Sequence, residues 1–321
     1  MKILVIKLAA LGDVVLAFTP LKRIRAAHPG ADITVLTTPL FAELFRLSPY
    51  IDRVETDGRP TGVLATLAML RRIRRDRYDR VYDLQTSGRS SAYHLALWPK
   101  PPEWSGIALG ASHPHANPNR GRMHTLEREA DQLKFAGIWP DAPTAPDAAP
   151  PPDLSFLLND SAPERMPEHF GLSSPYALLV PGASPHRPGK RWPAAGYGAV
   201  AAHLIGRGFN VGVVGGPAEA PLANDIAAVA PGALDLTGRT DFATLAGLGA
   251  RAALSVGNDT GPTHLMAAAG APTLVLFSGE SDPALCAPRG SRVEVLRQDR
   301  LADLPTGAVI AAVDRVIAPL E

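Results

Sequence analysis

The sequence predicts an α/β protein made of two domains, each a parallel sheet with helices on both faces. The chain has 321 residues, more than one ordinary hydrophobic core holds, so two domains are expected. Short apolar runs alternate with helical patterns in both halves, which is typical of parallel sheets. A proline-rich break at residues 140–152 separates the halves, because so much proline fits neither a helix nor a central strand.

The first half begins with the strand KILVI (2–6), a tight loop and an amphipathic helix. Pro20 indicates a bend in that helix, or a restart near Thr19. We place the first domain at 1–165. Its further strands are predicted at 32–36, 53–57, 80–84 and 104–108, and its further helices at 41–47 and 63–76.

The second half repeats this rhythm. We place the second domain at 175–305 and expect the last helix, within 306–321, to return to the first domain. Two such domains that face each other form a cleft at the carboxyl ends of their strands, where ligands bind. The predicted strands are 176–182, 210–216, 252–257 and 273–277, and the predicted helices are 194–206, 218–230, 262–269 and 306–318.

Composition excludes several classes of protein. The net charge of +1 argues against a nucleic-acid partner. The single cysteine, Cys286, rules out an intramolecular disulfide and a cysteine-based metal site. No apolar run approaches the roughly 18–20 residues of a membrane span. We therefore expect a cytoplasmic protein that at most touches a membrane surface.

The segment SVGNDTGPTHLMAAAG (255–270) carries the strongest local pattern. A strand ends, a polar turn follows, and Pro262 suits the first turn of a helix. Gly261 lets a ligand approach the backbone closely. The free N–H groups and the positive end of the helix dipole favour a diphosphate there. The alternative is an ordinary turn in which Asp259 or Thr260 caps the helix.

Two further loops follow predicted strands. VPGASPHRPGKRWP (180–193) offers Ser184, Lys190 and Arg191 as donors to phosphate oxygens, or is a solvated basic loop. In VVGGPAEAP (213–221), Glu219 could accept from the hydroxyls of a ribose, or simply lie favourably at a helix N-terminus.

Asp13, after the first strand, has two interpretations. A carboxylate at a strand-to-helix loop could deprotonate an incoming hydroxyl. As an N-cap it would bond the backbone N–H groups of the next turn, and a firmly bonded carboxylate is a weaker base.

The helix LRRIRRDRYDR (70–80) holds six arginines. It is either a solvated helix face or a contact for a phosphorylated acceptor or an anionic lipid.

The chain contains no Asp-x-Asp pair, no G-x-G-x-x-G after the first strand and no Walker A sequence. We therefore expect no metal–diphosphate clamp and no dinucleotide cofactor.

Several segments together resemble a known family. They are IKLAALGDVVLAFTPLKRIRAAHP (6–29), YDRVYDLQTSGRSS (78–91), PGAS…KRWP (181–193) and the run 236–283 with its GNDTGPTH. In this order they resemble the heptosyltransferases of lipopolysaccharide inner-core synthesis, glycosyltransferase family 9. The resemblance covers nearly the whole chain, least well in 109–175.

The resemblance implies two Rossmann-like domains in the GT-B architecture. It implies metal-independent, inverting transfer of heptose from ADP-heptose to a Kdo or heptose hydroxyl of an anionic glycolipid. No cofactor is expected beyond the donor substrate, and the enzyme is expected to be a monomer, peripheral at the cytoplasmic face of the inner membrane. Acceptor contacts are expected in 109–123.

The resemblance also assigns roles to residues. The general base would be Asp13, and the ribose-binding acid would be Glu219. The donor diphosphate would be bound by Lys190, Thr260, Gly261, Ser184 and Asp259. Further candidates are His264, Lys7 and Arg191; a packed helix histidine is the alternative for His264.

Three other functions stay open at this point. The first is a glycosyltransferase with another nucleotide-sugar donor. The second is a nucleotide-sugar epimerase of similar two-domain fold, and the third is a regulatory module that binds a nucleotide sugar without turnover. An epimerase would convert the donor without any acceptor.

Overall fold

The computed structural model describes residues 1–158 and 162–318. The chain divides into two compact units, Met1–Pro150 and Pro151–Glu321. This division lies before the predicted boundary, because short turns at Ser155–Leu157 and Pro163–Arg165 lie against a helix of the second unit, Phe242–Arg251. The proline-rich stretch thus closes the first unit.

The first unit is a six-stranded parallel sheet with the order β3-β2-β1-β4-β5-β6. Its strands are β1 (Lys2–Ile6), β2 (Asp32–Leu36), β3 (Arg53–Glu55), β4 (Arg80–Asp83), β5 (Glu103–Gly106) and β6 (His113–Pro114). Its helices are α1 (Leu11–Leu16), α2 (Phe18–Ala27), α3 (Ala42–Arg46), α4 (Val63–Asp76), α5 (Gly88–Ala96) and α6 (Thr125–Phe135).

The second unit is also a six-stranded parallel sheet, with the order β12-β11-β10-β7-β8-β9. Its strands are β7 (Tyr176–Val180), β8 (Asn210–Val213), β9 (Ala233–Asp235), β10 (Leu254–Asn258), β11 (Thr273–Phe277) and β12 (Val293–Arg297). Its helices are α7 (Ala194–Gly206), α8 (Ala220–Val229), α9 (Phe242–Arg251), α10 (Gly261–Ala269), α11 (Pro283–Cys286) and α12 (Thr306–Ile317).

Both units share one strand order, 3-2-1-4-5-6 when each is counted from its own first strand. This is the doubly wound Rossmann order, and it confirms the predicted fold class. The order reverses between β1 and β4 in the first unit and between β7 and β10 in the second. Ligands bind at such a switch point, beyond the carboxyl ends of the strands.

The structure confirms the restart predicted near Thr19 and corrects the expectation for the last helix. The N-terminal helix breaks at Ala17, and Pro20 lies in the first turn of α2, where its missing N–H costs nothing. The last helix does not leave the second unit: Val309, Val313 and Val316 of α12 are buried in the core of that unit with residues of β7 and β10. Its apolar face therefore completes the second sheet.

No helix among residues 1–158 and 162–318 is long and apolar enough to cross a membrane.

Candidate active site

The carboxyl end of β10 is fastened to the loop 181–193 by Asn258, which is fully buried. Its Nδ2 donates to the carbonyl oxygens of Pro181 (2.9 Å) and Gly182 (3.2 Å). Its Oδ1 accepts from the backbone N–H of Trp192 (3.2 Å) and the hydroxyl of Tyr197 (2.9 Å). This single amide holds both ends of the loop, a role that the sequence analysis missed.

Asp259, the next residue, contacts three polar side chains at the carboxyl edge of the second sheet. Its Oδ2 lies 2.5 Å from Lys190 Nζ and accepts from Ser281 Oγ at 2.7 Å. His264 Nε2 lies 3.4 Å from Oδ1. Burial acts to raise the pKa of Asp259, but hydrogen bonds from His264, Lys190 and Ser281 outweigh it and lower the pKa to about 2. Asp259 is therefore ionised and fixes the Lys190 ammonium.

Helix α10 begins at this edge with unpaired donors. Thr260 occupies the predicted N-cap position, but neither its side chain nor that of Asp259 accepts a hydrogen bond from the first turn of the helix. Thr260 Oγ1 instead lies 3.4 Å from the carbonyl oxygen of Asn258. Within the described ranges, the backbone N–H groups of Gly261 and Thr263 have no protein acceptor. These donors and the helix dipole make an anion site.

Glu219 lies over glycines of two neighbouring loops. A Cβ added to Gly182 would lie 2.8 Å from Glu219 Cγ, and one added to Gly215 would lie 2.9 Å from its Cβ. The missing side chains let the glutamate pack between the loops that follow β7 and β8. Its carboxylate accepts no hydrogen bond from the part of the chain that the structure describes.

Two predicted phosphate donors are placed differently from Lys190. Ser184 is exposed, with no hydrogen bond from its hydroxyl among the described residues. Arg191 donates from Nη2 to the carbonyl oxygen of Ala183 at 2.8 Å, and its Nε is buried without a partner in the described ranges. Arg191 therefore braces the loop from within.

Asp13 lies at the corresponding switch point of the first unit. It is the third residue of α1, half-buried, and its Oδ2 accepts one hydrogen bond, from the backbone N–H of Ala10 at 3.2 Å. The N-cap position is Ala10, so Asp13 reaches back along the chain instead of capping the next turn. Gln85 Oε1 accepts from the N–H groups of Leu8 (2.7 Å) and Ala9 (3.1 Å) and fastens this loop to the one after β4.

Lys7 is buried rather than open to solvent. Its Nζ lies 2.7 Å from Glu129 Oε1 on α6 and donates to the carbonyl oxygen of Leu84 at 3.1 Å. Burial raises the pKa of Glu129, Lys7 opposes the rise, and Asp13 is close enough to add to it. Lys7 therefore supports the loop that carries Asp13.

Asp83, the last residue of β4, is fully buried. Its Oδ1 accepts from the backbone N–H of Thr86 at 2.9 Å, and its Oδ2 has no partner among the described residues. Burial raises the pKa of Asp83 to about 6. Neither Asp83 nor Glu129 was singled out from the sequence, because the burial of each is set by tertiary packing, and the partner of Glu129, Lys7, lies 122 residues away.

A family model for glycosyltransferase family 9 (heptosyltransferase) matches residues 66–307. The chain belongs to glycosyltransferase family 9. This membership confirms the predicted enzyme class, a glycosyltransferase. Lipopolysaccharide heptosyltransferase 2 of Escherichia coli K12, a curated relative, is 28% identical over 92% of this chain and 88% of its own length.

Solved structures agree with the family 9 fold. The structure of E. coli ADP-heptose lipopolysaccharide heptosyltransferase II matches with a TM-score of 0.81 and 24% identity, covering 99% of this chain and 98% of that one. An E. coli heptosyltransferase solved with ADP matches with a TM-score of 0.76 and 21% identity, covering 98% and 100%. At these identities the likeness shows the fold.

Proposed function

We propose that this family 9 enzyme transfers heptose from ADP-heptose to a Kdo or heptose hydroxyl of a lipopolysaccharide inner-core acceptor. The support is the family membership, the activity named for its curated relative, and two switch-point sites of complementary chemistry. The second unit offers an ammonium and a helix N-terminus, whereas the first offers a carboxylate.

The donor diphosphate is proposed to bind at the carboxyl edge of the second sheet. An ammonium has three N–H donors, and Asp259 takes one from Lys190, which leaves two for phosphate oxygens. The N–H groups of Gly261 and Thr263 add two more donors. Together they stabilise the negative charge that develops on the leaving ADP. In this proposal Glu219 binds the ribose hydroxyls, and no metal or cofactor is required.

Asp13 is proposed as the general base. One carboxylate oxygen accepts from Ala10 and the other accepts nothing from the described residues, so it has a lone pair for a proton. The acceptor hydroxyl gives its proton to Asp13 as its oxygen bonds to the anomeric carbon. The bond from that carbon to the phosphate oxygen breaks, and its electron pair leaves with ADP. A single displacement inverts the anomeric centre.

The acceptor is proposed to contact the first unit near 109–123. In that segment Arg120 donates to Thr86 Oγ1 at 2.6 Å and to His115 Nδ1 at 3.1 Å. The guanidinium is thus fixed beyond the end of β4, where it suits an anionic sugar. We propose that the enzyme works as a monomer at the cytoplasmic face of the membrane.

The fixed Lys190 ammonium beside the open start of α10 carries this proposal, and donor binding tests it. ADP-heptose should raise the melting temperature, and UDP-sugars should not. Asp13→Asn should retain this shift and lose transfer to the acceptor, whereas Lys190→Ala should lose both. A melting-temperature shift with UDP-sugars alone would refute ADP-heptose as the donor. Conversion of the nucleotide sugar without an acceptor would indicate an epimerase. Near-normal turnover by Asp13→Asn would refute the assignment of Asp13 as the general base.

A further inference from the structure

Helix α4 leaves much of its apolar surface uncovered. It buries only Met69, Leu70 and Ile73 against the first sheet. In its first two turns Val63 is 75% exposed, Leu64 83% and Leu67 40%. Monomeric proteins rarely leave contiguous apolar side chains in water without a use for them.

The exposed side of α4 changes from apolar to cationic along its length. Leu64, Ala68, Arg71 and Arg75 recur at helical spacing, opposite the buried face, and all are exposed. The stripe from Leu64 to Arg75 is about 17 Å long at 1.5 Å per residue. It therefore presents two apolar turns followed by two basic turns on one side.

The cations of this surface exceed the carboxylates that could neutralise them. Arg72 is paired with Glu55, Asp57 and Asp76, and Arg75 Nε also lies 3.2 Å from Asp76. Among the described residues, Arg71 has no carboxylate partner, so its charge is uncompensated.

The C-terminal end of α4 borders a cavity of about 220 Å³ that is also positively charged. Three cations line it: Arg74, Arg77 and Lys100. Arg74 donates to the carbonyl oxygens of Ala96 (2.6 Å) and Trp98 (2.9 Å). The Trp98 side chain is 55% exposed, and an exposed Trp beside cations is typical of a membrane–water interface.

We propose that the surface formed by Leu64, Leu67, Arg71, Arg75 and Trp98, the α4 surface, docks on an anionic phospholipid bilayer. The apolar turns would enter the headgroup region, and the arginines and the cavity would bind lipid phosphates. A second copy of the chain fits poorly, because two-fold pairing would bury the arginines of one helix against arginines or apolar side chains of the other. The inference extends the proposed function, in which the acceptor is a membrane glycolipid.

Co-sedimentation of the full chain with vesicles tests this inference. Vesicles of phosphatidylcholine with about one third phosphatidylglycerol should bind the protein, and pure phosphatidylcholine should bind it much less. Arg71→Gln/Arg75→Gln should weaken binding about 30-fold, since each cation near such a surface contributes about fivefold. Leu64→Gln/Leu67→Gln should weaken it at least about tenfold. Added salt should weaken the binding of the unmodified protein.

Matched controls change exposed residues outside α4. Arg46→Gln/Lys134→Gln removes two exposed cations, and Leu40→Gln/Leu47→Gln replaces leucines that are 67% and 40% exposed. Both should bind anionic vesicles as the unmodified protein does. All four variants should transfer sugar normally to an acceptor stripped of its acyl chains, so failure of the proposed transfer reaction would appear in that assay and not in the vesicle assay.

Three results would overturn the inference. They are equal binding to neutral and anionic vesicles, unchanged vesicle binding by both α4 variants, and a concentration-dependent dimer that the α4 variants abolish in the absence of lipid. The last would assign the α4 surface to a second copy of the chain.

Discussion

Replacing Asp259 with Asn tests whether this carboxylate organises the candidate donor site. The substitution keeps the size of the side chain but removes its charge, so Lys190 and His264 lose their anionic partner. The side chains of Asp259 and Lys190 are only 6% and 12% exposed, so solvent screens their interaction weakly.

The expected magnitude follows from the pKa of Asp259. Lowering the pKa from 3.8 to about 2 corresponds to about 2 kcal/mol at 1.36 kcal/mol per pKa unit. Because the folded pKa lies below the ordinary value, this stabilisation is fully present above pH 4 and is lost as the pH falls through about 2. At neutral pH, Asp259→Asn should lower the melting temperature by about 4–8 °C.

Thermal unfolding of both proteins at pH 7, and at steps down to pH 2, measures this effect. The difference between them should shrink between pH 4 and pH 2. Asp314→Asn is the matched control, since Asp314 also has its pKa lowered, by His203 and Arg207, but its side chain is 44% exposed and the pair is screened. A loss for Asp259→Asn no larger than for Asp314→Asn would refute the reasoning. Calorimetry with ADP should also show weaker binding to Asp259→Asn.

Three further predictions concern buried or close-packed positions. Asp83→Asn should be more stable than the unmodified protein at pH 8 by about 1–3 kcal/mol, because burial raises the pKa of Asp83 in the folded state to about 6. The unmodified protein should gain stability as the pH falls from 6 to 4, whereas the variant should not. Urea unfolding at several pH values measures this, and equal pH profiles for the two proteins would contradict it. Gly182→Ala should displace Glu219 and weaken ADP binding in calorimetry. The control Gly206→Ala, whose Cβ would meet nothing within 4 Å, should leave ADP binding unchanged. Equal ADP affinities of the two variants would argue against the position of Glu219. Asn258→Ala should cost about 3 kcal/mol in urea unfolding, since it leaves buried donors and acceptors unpaired, and a loss below about 1 kcal/mol would contradict its role in holding the loop.

Much of the fold could be predicted from the sequence because buried parallel strands are short apolar runs. KILVI, DITVL and TLVLF were predicted with the bounds that the structure shows. The elements that were missed lack such a pattern. Helix α5 (GRSSAYHLA) is mostly polar or small, and β6 has only two residues. Their positions are set by tertiary packing rather than by local periodicity.

The candidate site was predictable in part for a similar reason. Strand-to-helix loops are visible in a sequence, so Asp13, Lys190 and Gly261 could be named. Partners distant along the chain are not visible. Lys7 was expected as a site residue, yet it is buried against Glu129, 122 residues away.

The repeated strand order has an evolutionary consequence. Each six-stranded sheet is complete within one unit, so the loop of Asp13 and the loop of Lys190 are each built on their own scaffold. Mutations in the loops after β7, β8 and β10 leave the strand register around Asp13 unchanged. If the proposed division of donor and acceptor binding between the units holds, specificity for each substrate can diverge separately, so one ancestral scaffold can give rise to enzymes that share a donor and differ in the sugar chain they extend.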